Sequence, residues 1–342
     1  MTAAARVAVA EGQADWANPS SPHAEGRRAR ARVEAARAAV AAAYGWAGET
    51  LFTSGASESL SLALGRALVD RVLVSAVEHD AVLRAAGQAT TVAVGAHGRV
   101  DPAALPRLLS GAGRALVAVQ WANSETGVRQ PIAELADVVQ AAGHLLLVDA
   151  AQMPAGADPD VATHADFVAL SAHKRGGPPG VGALLVRDLS TLRPSGGQER
   201  GYRPGTENLP GLLGYAAALA EPEPDHAPLR AMLDDALARS GGEVVGESSP
   251  RHPAIGAYRL PSVASATQLI RLDLAGFAVS AGSACASGSM KPSHVLAAMG
   301  WSEAAGREVI RVSFGRTTSE ADVAAFIAAW RTMARETRRF VA

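Results

Sequence analysis

The sequence predicts an α/β protein: a large domain on a mostly parallel sheet flanked by helices, followed by a smaller C-terminal α/β domain. Three observations carry this. Short apolar runs recur at Val72-Leu73-Val74, Leu116-Val117-Ala118-Val119, Leu145-Leu146-Leu147-Val148 and Phe167-Val168-Ala169-Leu170. Stretches with helical spacing, such as 132–142, lie between them. Strands apolar on both faces and separated by helices belong to a sheet covered on both sides. Finally, composition shifts at Glu221-Pro222-Glu223-Pro224-Asp225, where two prolines among acids mark a linker or helix start. The shift divides residues 15–222 from residues 223–342.

Taken in order, the chain opens with Arg27, Arg28, Arg30, Arg32 and Arg37 among alanines. Glu11, Asp15, Glu25 and Glu34 set this region apart from an acid-poor transit peptide, and it reads as a solvated helix face. A short strand is expected before Thr53, then a helix with Leu60, Leu64, Ala67 and Leu68 on one face. A strand at 181–187, soon after the preceding one, suggests a hairpin-type return. Beyond the linker come a helix at 228–239, strand-like pieces near 243–246 and 255–260, a strand around 276–280, and a long amphipathic helix at 319–339.

Composition narrows the function. A formal net charge of −1 over 342 residues exerts no general pull toward nucleic acid or anionic membranes. No apolar run approaches the ~20 residues needed to span a bilayer, and with no signal peptide the expected location is cytoplasmic. The single cysteine, Cys285, excludes intramolecular disulfides and cysteine-rich metal sites. No HExxH, CxxC or Walker-type motif is present. Lysine occurs only at 174 and 291, and lysine, unlike arginine, forms Schiff bases.

Four features fall where open α/β sheets bind ligands, beyond the C-terminal ends of strands. Thr53-Ser54-Gly55-Ala56-Ser57-Glu58-Ser59 offers small residues and a helix N-terminus, which suit a phosphate; alone, it reads equally as a helix cap. Asp149, at the end of a buried strand, needs a cationic or hydrogen-bonding partner, such as a protonated pyridine nitrogen; as an N-cap it serves the next helix. Ser171-Ala172-His173-Lys174, followed by Gly176-Gly177-Pro178-Pro179-Gly180, places a lysine after a buried strand, where desolvation frees its amine. Ser280–Ser289 surrounds Cys285 with small residues, with Lys291 and His294 nearby to lower a thiol pKa. Two more residues join them. His79 is suited to stacking or proton transfer, and Arg311, in an apolar strand, to gripping a carboxylate; a surface histidine and an internal ion pair are the plainer alternatives.

Together these motifs resemble the cysteine desulfurases of the NifS/IscS type, within the class V aminotransferase group. The resemblance rests on Asn18–His23, Thr53–Ser59, Glu78-His79, Asn123-Ser124-Glu125-Thr126-Gly127, Val148–Gln152, Ser171–Gly182, Gly196–Gly201, Arg203–Asn208, Ser280–Ser289 and Ile310–Gly315. They keep their order from residue 18 nearly to the end.

The resemblance implies the aspartate-aminotransferase-like fold of pyridoxal 5'-phosphate enzymes, with L-cysteine as substrate. It gives Lys174 the covalent link to the cofactor, Asp149 the pyridine nitrogen and Gln152 the ring hydroxyl. His79 stacks on the ring and helps move protons. Ala56, Ser57, Ser171 and His173 bind the phosphate, with Thr206 reaching across from the other subunit of a homodimer. Asn123 belongs to the cofactor site, Ser124 to the substrate site, and Arg311 holds the substrate carboxylate. Cys285 receives the sulfur as a persulfide and passes it to an acceptor or scaffold protein, as in iron-sulfur cluster assembly. Ser124 stands where the family has a second asparagine and reaches less far. The family's N-terminal polar-Ala-Thr-Thr-Pro stretch, which shapes the substrate pocket, is not found before Asn18. A selenocysteine lyase, another class V lyase, or a non-catalytic relative that binds a partner are the competing readings.

Overall fold

All four apolar runs form strands of one sheet in the computed structural model, which describes residues 1–282 and 292–341. The strands are β1 (Glu49–Thr53), β2 (Arg71–Ser75), β3 (Thr90–Val92), β4 (Ala115–Gln120), β5 (Leu145–Asp149), β6 (Phe167–Ser171) and β7 (Gly182–Val186), in the order β1-β7-β6-β5-β4-β2-β3. β3, β2, β4, β5 and β6 run parallel. β7 returns antiparallel beside β6, and β1 is antiparallel to β7, so β1 points the same way as the parallel set. Six chain segments therefore leave the sheet at one edge, after Thr53, Ser75, Val92, Gln120, Asp149 and Ser171.

Alternate residues of each strand feed opposite faces, as the two-residue period of a strand requires. Leu73, Val117, Val119, Leu146, Val148, Val168 and Leu170 pack on one side beneath α2 (Ala24–Ala43), α5 (Leu105–Leu109), α6 (Ile132–Ala141), α7 (Pro159–His164) and α8 (Leu209–Leu219). Val74, Leu116, Ala118, Leu145, Leu147 and Phe167 pack on the other, against α3 (Ala56–Arg66) and α4 (Asp80–Ala86). The N-terminal helix α1 (Ala3–Ala14) lies on α8.

The second sheet has the order β10-β11-β9-β8, with β8 (Glu243–Val244), β9 (Ile255–Arg259), β10 (Ser280–Ala281) and β11 (Val309–Ser313) all antiparallel. α9 (Ala227–Ala238), α10 (Ser265–Leu274) and α13 (Glu320–Val341) cover it around the buried Trp330. α11 (His294–Ala298) and α12 (Glu303–Gly306) connect β10 to β11. Val77, in the turn after β2, packs with Val245, Val295 and Met299.

Three expectations change. The strand expected over 276–280 is only Ser280–Ala281. Gly276 takes φ +86°, and the Phe277 N–H bonds back to Leu272 O, 2.8 Å, to close α10. α3 ends at Arg66, so Leu60 and Leu64 are buried while Leu68 is exposed. On α2, Arg27 and Arg28 are exposed as expected, whereas Arg37 is buried, because a partner from far along the chain reaches it. Among the described residues, no helix is long and apolar enough to cross a membrane.

Candidate active site

The shared strand edge opens into a cleft of about 490 Å³. Ala56, Ser57, His79, Asn123, Ser124, Asp149, Gln152, Ser171, His173, Lys174 and Arg311 all line it. Every expected site residue is thereby brought together except two. Thr206 is exposed and does not line the cleft of its own chain, and Cys285, with Lys291, lies outside the described residues. Within this chain the cleft lining begins at Ser54.

The β1–α3 loop reaches the cleft by close backbone packing. Gly55 has φ +150°, a region open to glycine. A Cβ on Gly182 of β7 would stand 2.6 Å from Gly55 Cα and 2.4 Å from Leu170 O, so only glycine lets β7 pass beneath the loop. α3 begins without a side-chain cap. Its first N–H groups face the cleft with the positive end of the helix dipole behind them, an arrangement that suits a phosphate. Ser171, buried at the end of β6, bonds through Oγ to His173 Nδ1 at 2.9 Å and completes this corner.

Asp149 ends β5 and is buried. Its Oδ1 accepts the Ala151 N–H at 3.0 Å. Burial pushes the carboxyl above the usual carboxylate range, against the pull of that N–H and of His79 and Lys174. Its ionised form is favoured by a cation brought within reach, which is what a pyridinium nitrogen provides. Lys174 sits on the 3-10 turn Ala172–Arg175 and is exposed. The desolvation expected from the sequence is thus absent: the turn lifts the side chain off the strand end into the open cleft.

His79 caps α4, its Nδ1 accepting the Ala81 N–H at 3.0 Å. That bond leaves the proton of the neutral ring on Nε2. Asn123 lines the wall with its amide committed to the loop: Oδ1 accepts from the Glu125 and Thr126 N–H groups, and Nδ2 donates to Val77 O at 3.0 Å. Arg311, half-buried on β11, donates to Ser124 O and Ser280 Oγ, both at 3.2 Å.

Sequence reasoning missed the layer behind these groups. Glu78, fully buried, accepts the Ser75 hydroxyl at 2.5 Å and the Gln120 N–H at 2.8 Å on Oε1. Gln120 Nε2 donates to Val77 O at 2.6 Å. Gln120 at the end of an otherwise apolar strand was the available signal. His294, expected beside Cys285, has its Nε2 donating to Glu78 O at 2.9 Å, and its place relative to the thiol lies outside the described residues. Ser293 Oγ donates to Glu125 Oε2 at 2.5 Å, so α11 is pinned to the cleft wall at two points.

Residues 8–326 match the aminotransferase class-V family model. The chain belongs to that family. It is 37% identical to a cysteine desulfurase of Gluconacetobacter diazotrophicus, over 90% of this chain and 84% of that protein. It is 39% identical to one from Bradyrhizobium diazoefficiens, over 90% and 85%. Among solved structures, a NifS-like protein from Rickettsia africae superposes with a TM-score of 0.88 at 27% identity, covering 98% of this chain and 96% of that one. DndA from Streptomyces lividans superposes with a TM-score of 0.73 at 32% identity, covering 90% and 95%. The α/β fold and the family expected from the motifs are both borne out.

Proposed function

We propose that this chain is a cysteine desulfurase that binds pyridoxal 5'-phosphate in the cleft, converts L-cysteine to L-alanine and delivers the sulfur to Cys285. The observation that carries this reading is the convergence of Asp149, Lys174 and the uncapped start of α3 on one cleft. The chain's 37–39% identity to relatives named cysteine desulfurase supports it.

The residues fit the cofactor. The Ala56 and Ser57 N–H groups, the Ser171 hydroxyl and His173 would hold the phosphate. Asp149 would serve the ring nitrogen, Gln152 the ring hydroxyl, His79 the ring face, and the Lys174 amine the aldehyde carbon. When bound, the cofactor supplies an electron sink for the pair released at the substrate Cα.

The chain's own groups do the rest. Arg311 holds the substrate carboxylate through its planar fork, and the Ser124 carbonyl and Ser280 hydroxyl fix that fork. Lys174 Nζ accepts the Cα proton, and His79 holds a proton at Nε2 over the site. Cys285, as thiolate, attacks the substrate sulfur. The S–S bond forms, the C–S bond breaks with its pair left on Cβ, Cβ takes a proton, and Lys174 returns its proton to Cα to yield alanine. Cys285 then carries a persulfide for an acceptor or scaffold protein. Thr206, exposed on its own chain, is placed in this reading at the phosphate of a partner subunit in a homodimer.

The test is turnover. Protein loaded with pyridoxal 5'-phosphate, given L-cysteine and a thiol reductant, is expected to release alanine and sulfide in equal amounts, and Cys285→Ala to release neither at the wild-type rate. Loaded protein that forms no alanine overturns the reading in favour of a non-catalytic relative. Turnover of L-selenocysteine without turnover of L-cysteine makes it a selenocysteine lyase.

A further inference from the structure

The start of α3 carries a charge conflict. Its N–H groups attract an anion, yet Glu58, in its first turn, lines the same cleft as Ala56 and Ser57. The Glu58 carboxylate is bound on both oxygens. Oε2 accepts the Ser54 N–H at 2.5 Å, and Oε1 accepts Arg203 Nε at 3.1 Å. Both side chains are largely shielded, at 29% and 20% exposure, so solvent screens the carboxylate only in part. A bare carboxylate one turn from a phosphate dianion repels it and offsets the helix dipole.

Arg203 is held for this contact from the other side. Its Nη1 donates to Gly205 O at 3.3 Å, and the Gly205 N–H donates to Gln198 Oε1 at 2.8 Å. The neighbouring Glu199 is fixed to Arg37 and to the Phe52 N–H, at 2.6 and 2.8 Å. Phe52 belongs to β1, which leads into the Thr53–Ser59 loop. The segment that brings Arg203 to Glu58 is thus anchored to the strand that carries the phosphate corner.

Resting on the cofactor reading above, we propose that Arg203 is a positioning residue for the phosphate: it neutralises Glu58 and holds it against Ser54, so that the α3 N-terminus presents a positive face to the cofactor. Arg203 need not touch the phosphate. Its importance exists only because Glu58 is there, and only for a phosphorylated ligand.

The experiment compares Arg203→Gln, Glu58→Gln and the double variant, titrating cofactor-free full-length chain with pyridoxal 5'-phosphate and with pyridoxal, followed by absorbance. Arg203→Gln is expected to weaken pyridoxal 5'-phosphate about tenfold while pyridoxal binding stays unchanged. Adding Glu58→Gln returns the affinity to within about twofold of wild type, because the charge to be neutralised is gone. Equal weakening of both aldehydes, a double variant as weak as Arg203→Gln, or wild-type affinity in Arg203→Gln each overturns the proposal. If the wild-type chain binds neither aldehyde, the cofactor reading falls by itself. Thermal protection by inorganic phosphate, lost in Arg203→Gln and regained in the double variant, then still decides the role of Arg203.

Discussion

Glu78 and Asp149 are two buried carboxyls that repel each other under one cleft, and their surroundings sort them into different roles. Asp149 has His79 and Lys174 to favour its charge. Glu78 has the Ser75 hydroxyl and the Gln120 N–H, with Oε2 lacking a hydrogen-bond partner among the described residues. Burial pushes Glu78 up to about 8 from its ordinary 4.5, with the Asp149 charge adding to the rise. It is therefore neutral near pH 7, a hydrogen-bonded brace between the ends of β2 and β4, whereas burial raises Asp149 against the pull of His79 and Lys174.

The stability consequence has a definite sign. The folded chain holds the Glu78 proton more tightly than the unfolded chain, so this residue lowers stability as pH rises from about 4.5 to about 8, by up to about 1.4 kcal/mol per pH unit. Below that window both states are protonated, and above it the penalty is constant. Glu78→Gln keeps the shape and removes the titration. Urea midpoints are expected to match wild type near pH 4 and to exceed it increasingly toward pH 8. A variant with the wild-type pH slope would show that Glu78 is ionised in the folded chain.

His79 caps α4 with the same ring to which a chemical task is proposed, and the two separate by substitution. Nδ1 caps α4, a role asparagine fills with its side-chain oxygen. His79→Ala is expected to lose about 1 kcal/mol in chemical denaturation, and His79→Asn a few tenths or less. Both lose the ring face, so both should alter the absorption spectrum of bound pyridoxal 5'-phosphate and slow alanine formation about 100-fold. Retained activity in His79→Asn would confine the residue to capping.

Arg311 is aimed by two oxygens on different elements, Ser124 O and Ser280 Oγ. A lysine keeps the charge but not the fork. Arg311→Lys should raise KM for L-cysteine about tenfold or more with cofactor affinity unchanged. Steady-state kinetics beside a cofactor titration check this, and a fall in kcat at constant KM would remove the carboxylate from its role.

How much of this was legible from the sequence depended on whether the signal was local. Leu145–Val148 and its sister runs announced buried strands because the pattern lies within the run. Asp149, Lys174 and the Thr53–Ser59 loop were legible because each stands at a strand end, where the sheet must deliver it to one edge. Long-range pairing was not legible. Arg37 looked like one more arginine on a wet helix, and nothing in its neighbourhood points to Glu199, 162 residues away. The exposure of Lys174 and the shortened strand at Ser280–Ala281 depend on a 3-10 turn and on Gly276, which are choices of backbone geometry and not of composition. The Ser75–Glu78–Gln120 brace was hidden for the same reason: Ser75 and Gln120 end two strands that meet only after folding, and Glu78 follows the first of them.

The Arg37–Glu199 pair makes the sharpest stability prediction. Glu199 is fully shielded and Arg37 nearly so, at 0% and 7% side-chain exposure. Glu199 accepts two bonds from the guanidinium, at 2.6 and 3.1 Å, and a third from the Phe52 N–H. It does so from a backbone with φ +47°, followed by Arg200 at +57°, conformations that side-chain-bearing residues hold only when their contacts over-determine them. Glu199→Ala leaves the buried Phe52 N–H unpaired and the Arg37 guanidinium with only Glu34 and Thr50 O as partners, and is expected to lose about 1–3 kcal/mol. Glu199→Gln retains one acceptor for the Phe52 N–H and should lose less. Because Glu199 fixes β1 just ahead of the Thr53–Ser59 loop, the same substitutions should also weaken binding of pyridoxal 5'-phosphate under conditions where the variant is fully folded. Urea denaturation and a cofactor titration on one preparation read both effects. A Glu199→Ala chain that lost stability with undiminished cofactor affinity would show that the loop keeps its shape without this anchor.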